Sequence, residues 1–209
     1  MDDQARMRQV QSVLTETGAS FGPPRPTPPA LRWGLLFGAL AAWDERYVTA
    51  LELMHEGYLL HYRESRVVAA APGDRETALL AGDVFYACGL RLIAGAGQVE
   101  AVLLLTRLMS TSSFLRSIDA PWAADDVLWA STTAGLVALA DGVPCREVCT
   151  LFDEIDEALR RGAPADIAAL AARAAPRLRL ADPAPLLAEI EAVRGGAIVQ
   201  SEAISNDRR

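Results

Sequence analysis

Beyond residue 29 the chain falls into apolar-rich runs whose hydrophobic positions recur at helical spacing, separated by short stretches holding proline, glycine or aspartate. The clearest runs are "ERYVTALELMHEGYLLHYRE" (45–64), "RETALLAGDVFYACGLRLIA" (75–94), "VLWASTTAGLVALA" (127–140) and "APLLAEIEAV" (184–193). No segment alternates apolar and polar residues over a strand's length, so the pattern predicts an all-α chain of about eight helices and no sheet. Breaks are expected at Asp44, 70–74, 94–97, 118–122, 141–144 and 161–166, where Pro and Gly interrupt the periodicity. Asp44, Asp74 and Asp182 stand where a helix N-cap would accept backbone N–H groups.

The N-terminal part reads differently. Residues 2–17 are polar and weakly amphipathic, and "GPPRPTPP" (22–29) cannot be helical, because its prolines lack donors and fix φ. The expected organisation is therefore a polar segment and proline-rich linker or surface-laid arm over 1–28, one helical domain over 29–199, and a polar, frayed tail over 200–209. With 209 residues, 51% of them hydrophobic, the helical part can bury a sizeable core. Its longest uncharged apolar stretches fall short of the ~20 residues that span a bilayer, so no transmembrane segment is expected.

Charge narrows the function classes. A net charge of −7 and a pI near 4.9 speak against a nucleic-acid partner, which would call for a basic stripe. All 20 basic residues are arginine, so a Schiff-base lysine and a P-loop lysine are both excluded. Three cysteines, Cys88, Cys145 and Cys149, make no disulfide framework, and the chain starts without a basic-then-apolar leader, which together lead one to expect the cytoplasm.

The two histidines, His55 and His61, both lie in 45–64. At about 100° per residue, six residues set them roughly 120° apart around a helix, which is not the i, i+4 pair of a helical zinc site. Cys145 and Cys149 are i, i+4, but no histidine accompanies them. No metal site is expected on either pair.

"ALELMHEGYLLHYRES" nevertheless resembles the segment of trans-polyprenyl diphosphate synthases that carries two histidines ahead of a first aspartate-rich motif, Asp-Asp-x-x-Asp. "ETALLAGDVFYACGLRLIA" resembles the helix that follows it in that family, with Gly82 and Asp83 in place, and "ASTTAGLVALADG" (130–142) is a fainter likeness to a later one. The resemblance covers about 30–140 and implies an antiparallel isoprenoid-synthase-like bundle, truncated in this chain. In the family, two aspartate motifs hold magnesium ions that neutralise an allylic diphosphate.

Here the aspartate positions read Tyr62, Arg63 and Arg66, the last two being cations where Mg²⁺ would have to bind. Only Arg32 remains near the expected basic clamp, and Ser131-Thr132 replaces a cavity-facing Lys-Thr. Asp153, Glu154 and Glu157 are the local candidate for a second motif, although an acidic cluster of this spacing also suits a solvated face paired with Arg160 or Arg161.

The resemblance then implies a non-catalytic small subunit of a hetero-oligomeric prenyl diphosphate synthase, binding no cofactor itself and supporting a magnesium-bearing catalytic large subunit in a heterodimer or heterotetramer. Gly57 and Tyr58, five and four residues before the first lost aspartate, would flank a chain-length cavity. Phe85 and Tyr86 are the expected partner surface, with ordinary core as their other reading. Two alternatives stand beside this one: an active Mg-dependent prenyltransferase or terpene synthase with an altered motif, and an unrelated all-α interaction protein.

Overall fold

The computed structural model describes residues 3–16, 22–26, 30–42, 44–69, 74–161, 169 and 173–192. The described residues are all-α, with a single antiparallel bridge between Pro24 and Val68 in place of any strand. Seven helices follow in order: α1 (Asp3–Glu16), α2 (Trp33–Leu40), α3 (Glu45–Tyr62), α4 (Arg75–Gly95), α5 (Val99–Ser117), α6 (Trp122–Ala140) and α7 (Cys145–Arg160). Two further helices, α8 over 173–177 and α9 over 184–192, complete the described chain.

The boundaries are set by local chemistry. Asp44 caps α3 by accepting from the Arg46 N–H at 2.9 Å, Asp74 caps α4 through the Thr77 N–H at 3.1 Å, and Asp182 accepts from the Ala184 N–H at 2.9 Å ahead of α9. Pro121 and Pro144 immediately precede α6 and α7, where a missing donor costs nothing. Past the ends of α4 and α6, Gly97 and Gly142 take positive φ (77° and 82°), a conformation that ends a helix and strains other residues. The expected tail at 200–209 and most of the breaks at 70–74 and 161–166 lie outside the described residues.

Where the sequence suggests one helical domain over 29–199, contacts divide the chain into two compact units, 1–38 with 43–102, and 39–42 with 103–209. In the first unit, α1 is part of the core: Met7 and Val10 are buried, and Arg6 Nε meets both Glu45 carboxylate oxygens at 3.2 Å. The arm that follows pairs with the chain after α3, the Arg25 N–H donating to Val67 O at 2.8 Å and the Ala69 N–H to Pro23 O at 2.9 Å. Helix α3 is the spine, buried without interruption from Tyr47 to Leu60, and α4 runs antiparallel along it.

In the second unit, α6 is buried over most of its length, with Leu128, Trp129, Leu136 and Val137 in the core. Helix α7 shows the expected amphipathic split: Val148, Leu151, Phe152, Ile155 and Leu159 face inward while acids occupy the outer face. A buried Asp125 meets Arg116 Nη2 at 2.6 Å, and that guanidinium lies 3.9 Å from the Trp122 ring centroid.

Candidate functional site

The stretch of α3 that the histidines single out carries two glutamates, Glu52 and Glu56, in its fully buried run. An ionised carboxylate taken out of water needs a partner and saturated hydrogen bonding. Arg66 supplies it, reaching back from the loop after α3: its Nη2 lies 2.7 Å from Glu52 Oε2 and its Nε 2.6 Å from Glu56 Oε1. Glu52 Oε1 accepts from the Arg32 and Gly34 backbone N–H groups at 2.7 and 2.8 Å, closing the N-terminus of α2. Glu56 Oε2 accepts from Ser65 Oγ at 2.8 Å and from the Arg66 N–H at 3.0 Å, while Ser65 Oγ itself accepts from the Val67 and Val68 N–H groups.

All four carboxylate oxygens are thus engaged by donors of this chain. Burial pulls the Arg66 guanidinium down, but Glu52 and Glu56 outweigh it and hold the charge in place, while burial pushes the Glu56 carboxyl above its usual range against the pull of Arg66. The chemistry available is that of a lock, tying α2, α3 and the 63–69 loop together. The position does not fit Mg²⁺, because its oxygens are used and its added charges are positive.

Arg63 and Arg66, which stand where the resemblance would put aspartates, have separate surroundings. Arg63 is the exposed C-cap of α3, its N–H donating to Leu59 O at 2.6 Å. Tyr62 is half-buried, its ring 5.3 Å from that of Tyr58. Arg32 lies with its guanidinium 4.4 Å from the Trp33 ring centroid, beside the Glu52 cap.

The two family-like stretches come together in space. His61 Nε2 lies 3.1 Å from Asp83 Oδ1, and a Cβ on residue 82 would overlap the His61 ring, so Gly82 is the space into which that ring fits. His55 is buried nearly two turns earlier in α3, edge-on to Trp33 at 5.9 Å and stacked on Tyr58 at 6.1 Å. Burial, and then the charges of Arg66, Arg32 and Arg63, hold its pKa well below the ordinary 6.5.

Between pH 6.5 and the depressed folded value the unfolded chain binds a proton that buried His55 does not, so its stabilising contribution is complete above pH 6.5 and is lost as pH falls. Stability should drop by up to about 1.4 kcal/mol per pH unit below that point through this group. Urea midpoints of His55→Gln, followed between about pH 7.5 and 5, should decline less steeply than those of the parent chain. Parallel declines would refute this assignment.

Several sequence expectations need correction. Gly57 opens onto the backbone of α4 and not onto a cavity: a Cβ there would stand 2.8 Å from Tyr86 Cδ1 and 2.9 Å from Gly82 O. Tyr58 is buried among aromatic rings. Phe85 and Tyr86 are buried inside the first unit, so they are core and not partner surface. A cleft of about 500 Å³ in that unit is lined by Gln9, Arg46, Thr49, Leu53, Cys88 and Arg91 among others, none of them one of the site residues that the resemblance implies.

The acids proposed for a second motif each meet an arginine. Asp153 pairs with Arg107, Glu154 with Arg177 at 2.7 Å and Glu157 with Arg161 at 3.4 Å, as a solvated helix face does. Thr132 Oγ1 donates to Leu128 O within α6. Among the described residues no group of three or more His, Cys, Asp or Glu side chains is placed to hold a metal ion. What the motif-based reading missed is the pair Glu52 and Glu56; its signal was two acids at i, i+4 inside an otherwise apolar run, which cannot be buried without a cation nearby. No protein-family model, curated protein or solved structure matches this chain.

Proposed function

We propose that this chain is a non-catalytic helical subunit of a hetero-oligomeric trans-prenyl diphosphate synthase, acting in the cytoplasm beside a catalytic subunit that carries the aspartate-rich motifs and the magnesium. On this reading the bundle is isoprenoid-synthase-like, and the chain supports the activity and product length of its partner without performing chemistry. One observation carries the proposal: where the related sequences place metal-binding aspartates, Arg66 serves as the internal counter-ion of Glu52 and Glu56. A helix end built to present carboxylates to a diphosphate has become one that consumes its own. The approach of His61 to Gly82 and Asp83 adds support, because it puts the two separate stretches of likeness into one antiparallel helix pair.

The test is reconstitution. The chain alone, given an allylic diphosphate, isopentenyl diphosphate and Mg²⁺, should form no product. Purified from its native host it should carry an aspartate-motif synthase at fixed stoichiometry, with elongation that neither chain shows alone. Arg63→Asp should leave the isolated chain inactive, since the clamp and a second motif are still lacking. Turnover by the isolated chain that Asp153→Ala abolishes would favour an active prenyltransferase instead, and a stable complex without any synthase would favour a general interaction protein.

A further inference from the structure

Helix α4 is long and apolar enough, by length and composition alone, to cross a membrane, yet only 33% of its apolar 18-residue window is buried. Its buried face, with Gly82, Phe85, Gly89 and Ile93, packs on the first unit. The opposite face is an exposed stripe of Leu80, Asp83, Ala87, Arg91 and Ala94, where Leu80 is 55% exposed. Steps of three and four residues keep these on one line, about 21 Å from Leu80 to Ala94.

We propose that this stripe is a homodimer surface, on which α4 of a second copy of the chain lies antiparallel with the two-fold axis at Ala87. The charge order carries the assignment. Asp83 stands four residues before Ala87 and Arg91 four after it. An antiparallel pair centred there sets Asp83 of each copy against Arg91 of the other, giving two symmetric ion pairs, and sets Leu80 against the small Ala94. A parallel pair would oppose like charges.

The groups are available for this. Arg91 makes no hydrogen bond or ion pair with any described residue. Asp83 Oδ1 lies 3.1 Å from His61 Nε2, and the Asp83 side chain remains 67% exposed. Alanine at the crossing lets two helix backbones approach closely, and the same patch serves both copies, as an isologous contact requires. A lipid surface fits worse, because Asp83 and Arg91 occupy the middle of the face that would have to enter hydrocarbon. The inference does not rest on the proposed function, since a homodimer contact on α4 leaves the rest of the surface to a catalytic subunit.

Sedimentation of the full chain over about 1–200 μM should show a species of twice the 22.4 kDa chain mass, with a Kd of about 10 μM, as suits an interface formed by one helix pair. Arg91→Asp should weaken it at least about 10-fold by opposing four acids across the axis. Ala87→Arg, which faces two cations at the axis, should abolish it. The double exchange Asp83→Arg with Arg91→Asp should return Kd to within about 3-fold of the parent. All of these sites are exposed, and circular dichroism melts check that each variant is folded.

A monomer throughout the range, a dimer indifferent to Ala87→Arg and Arg91→Asp, or association only with detergent or lipid vesicles would overturn the inference. A monomer that still activates a synthase would sink this inference alone. A dimer that activates none would sink only the proposed function.

Discussion

Arg66→Met is expected to be the most damaging single substitution in the first unit. Arg66 pairs with two carboxylates that are completely buried, and its removal takes that counter-charge from both. Breaking a buried ion pair from one side costs about 3–5 kcal/mol. For a chain of this size that corresponds to a fall in Tm of about 10 °C. The deficit should depend on pH in a defined direction. Burial already pushes the Glu56 carboxyl above its ordinary 4.5 against the pull of Arg66, so without that arginine the variant is stabilised by protonation of Glu56 at low pH and loses that support as pH rises through the raised value. Thermal melts should therefore show Arg66→Met closest to the parent in mild acid and furthest from it at neutral pH and above.

Adding Glu52→Gln and Glu56→Met to Arg66→Met should recover most of the loss. Glutamine keeps an acceptor for the Arg32 and Gly34 N–H groups, and no charge remains buried. A triple variant as unstable as the single one would show that Arg66 acts by packing and not by charge.

The second large effect belongs to the crossing of α3 and α4. Alanine favours a helix interior over glycine by about 1 kcal/mol, so Gly57→Ala would stabilise an exposed helix. Here the new methyl would meet Tyr86 Cδ1 at 2.8 Å and the Gly82 carbonyl oxygen at 2.9 Å, and a backbone oxygen cannot swing away. The two helices must separate, at a cost of about 1–3 kcal/mol from overpacking that spreads along the contact to Gly89, itself 2.9 Å from Met54 Cγ by the same measure. A net destabilisation of about 2 kcal/mol is expected. Gly82→Ala meets chiefly the His61 ring, which can rotate outward and give up Asp83, so its cost should be smaller. Urea midpoints of the two variants decide the order; Gly82→Ala as costly as Gly57→Ala would argue against a rigid backbone crossing.

Much of the fold is legible in the sequence because helix periodicity and termini are local. An aspartate or a proline ahead of an apolar run fixes where a helix starts, and Asp44, Asp74, Pro121 and Asp182 all do so where the pattern indicates. The resemblance-based site is read less well. Residue type showed that Arg63 and Arg66 are cations, but not that one is an exposed cap while the other is a buried counter-ion. Similarly, Gly57 reads as a small residue near a cavity, whereas its space is filled by α4, and Phe85 and Tyr86 read as a surface, whereas they lie on the buried face of α4.

The sequence by itself therefore determined the all-α class, most helix limits and the acidic, lysine-free character of the chain, because each depends on neighbours a few residues apart. Only the tertiary structure decided which side of α4 meets α3, that Glu52 and Glu56 share one guanidinium, and that the candidate second-motif acids are each held by an arginine. Those outcomes depend on contacts between helices. Rotation about a helix axis changes such contacts completely while leaving periodicity, composition and caps unaltered.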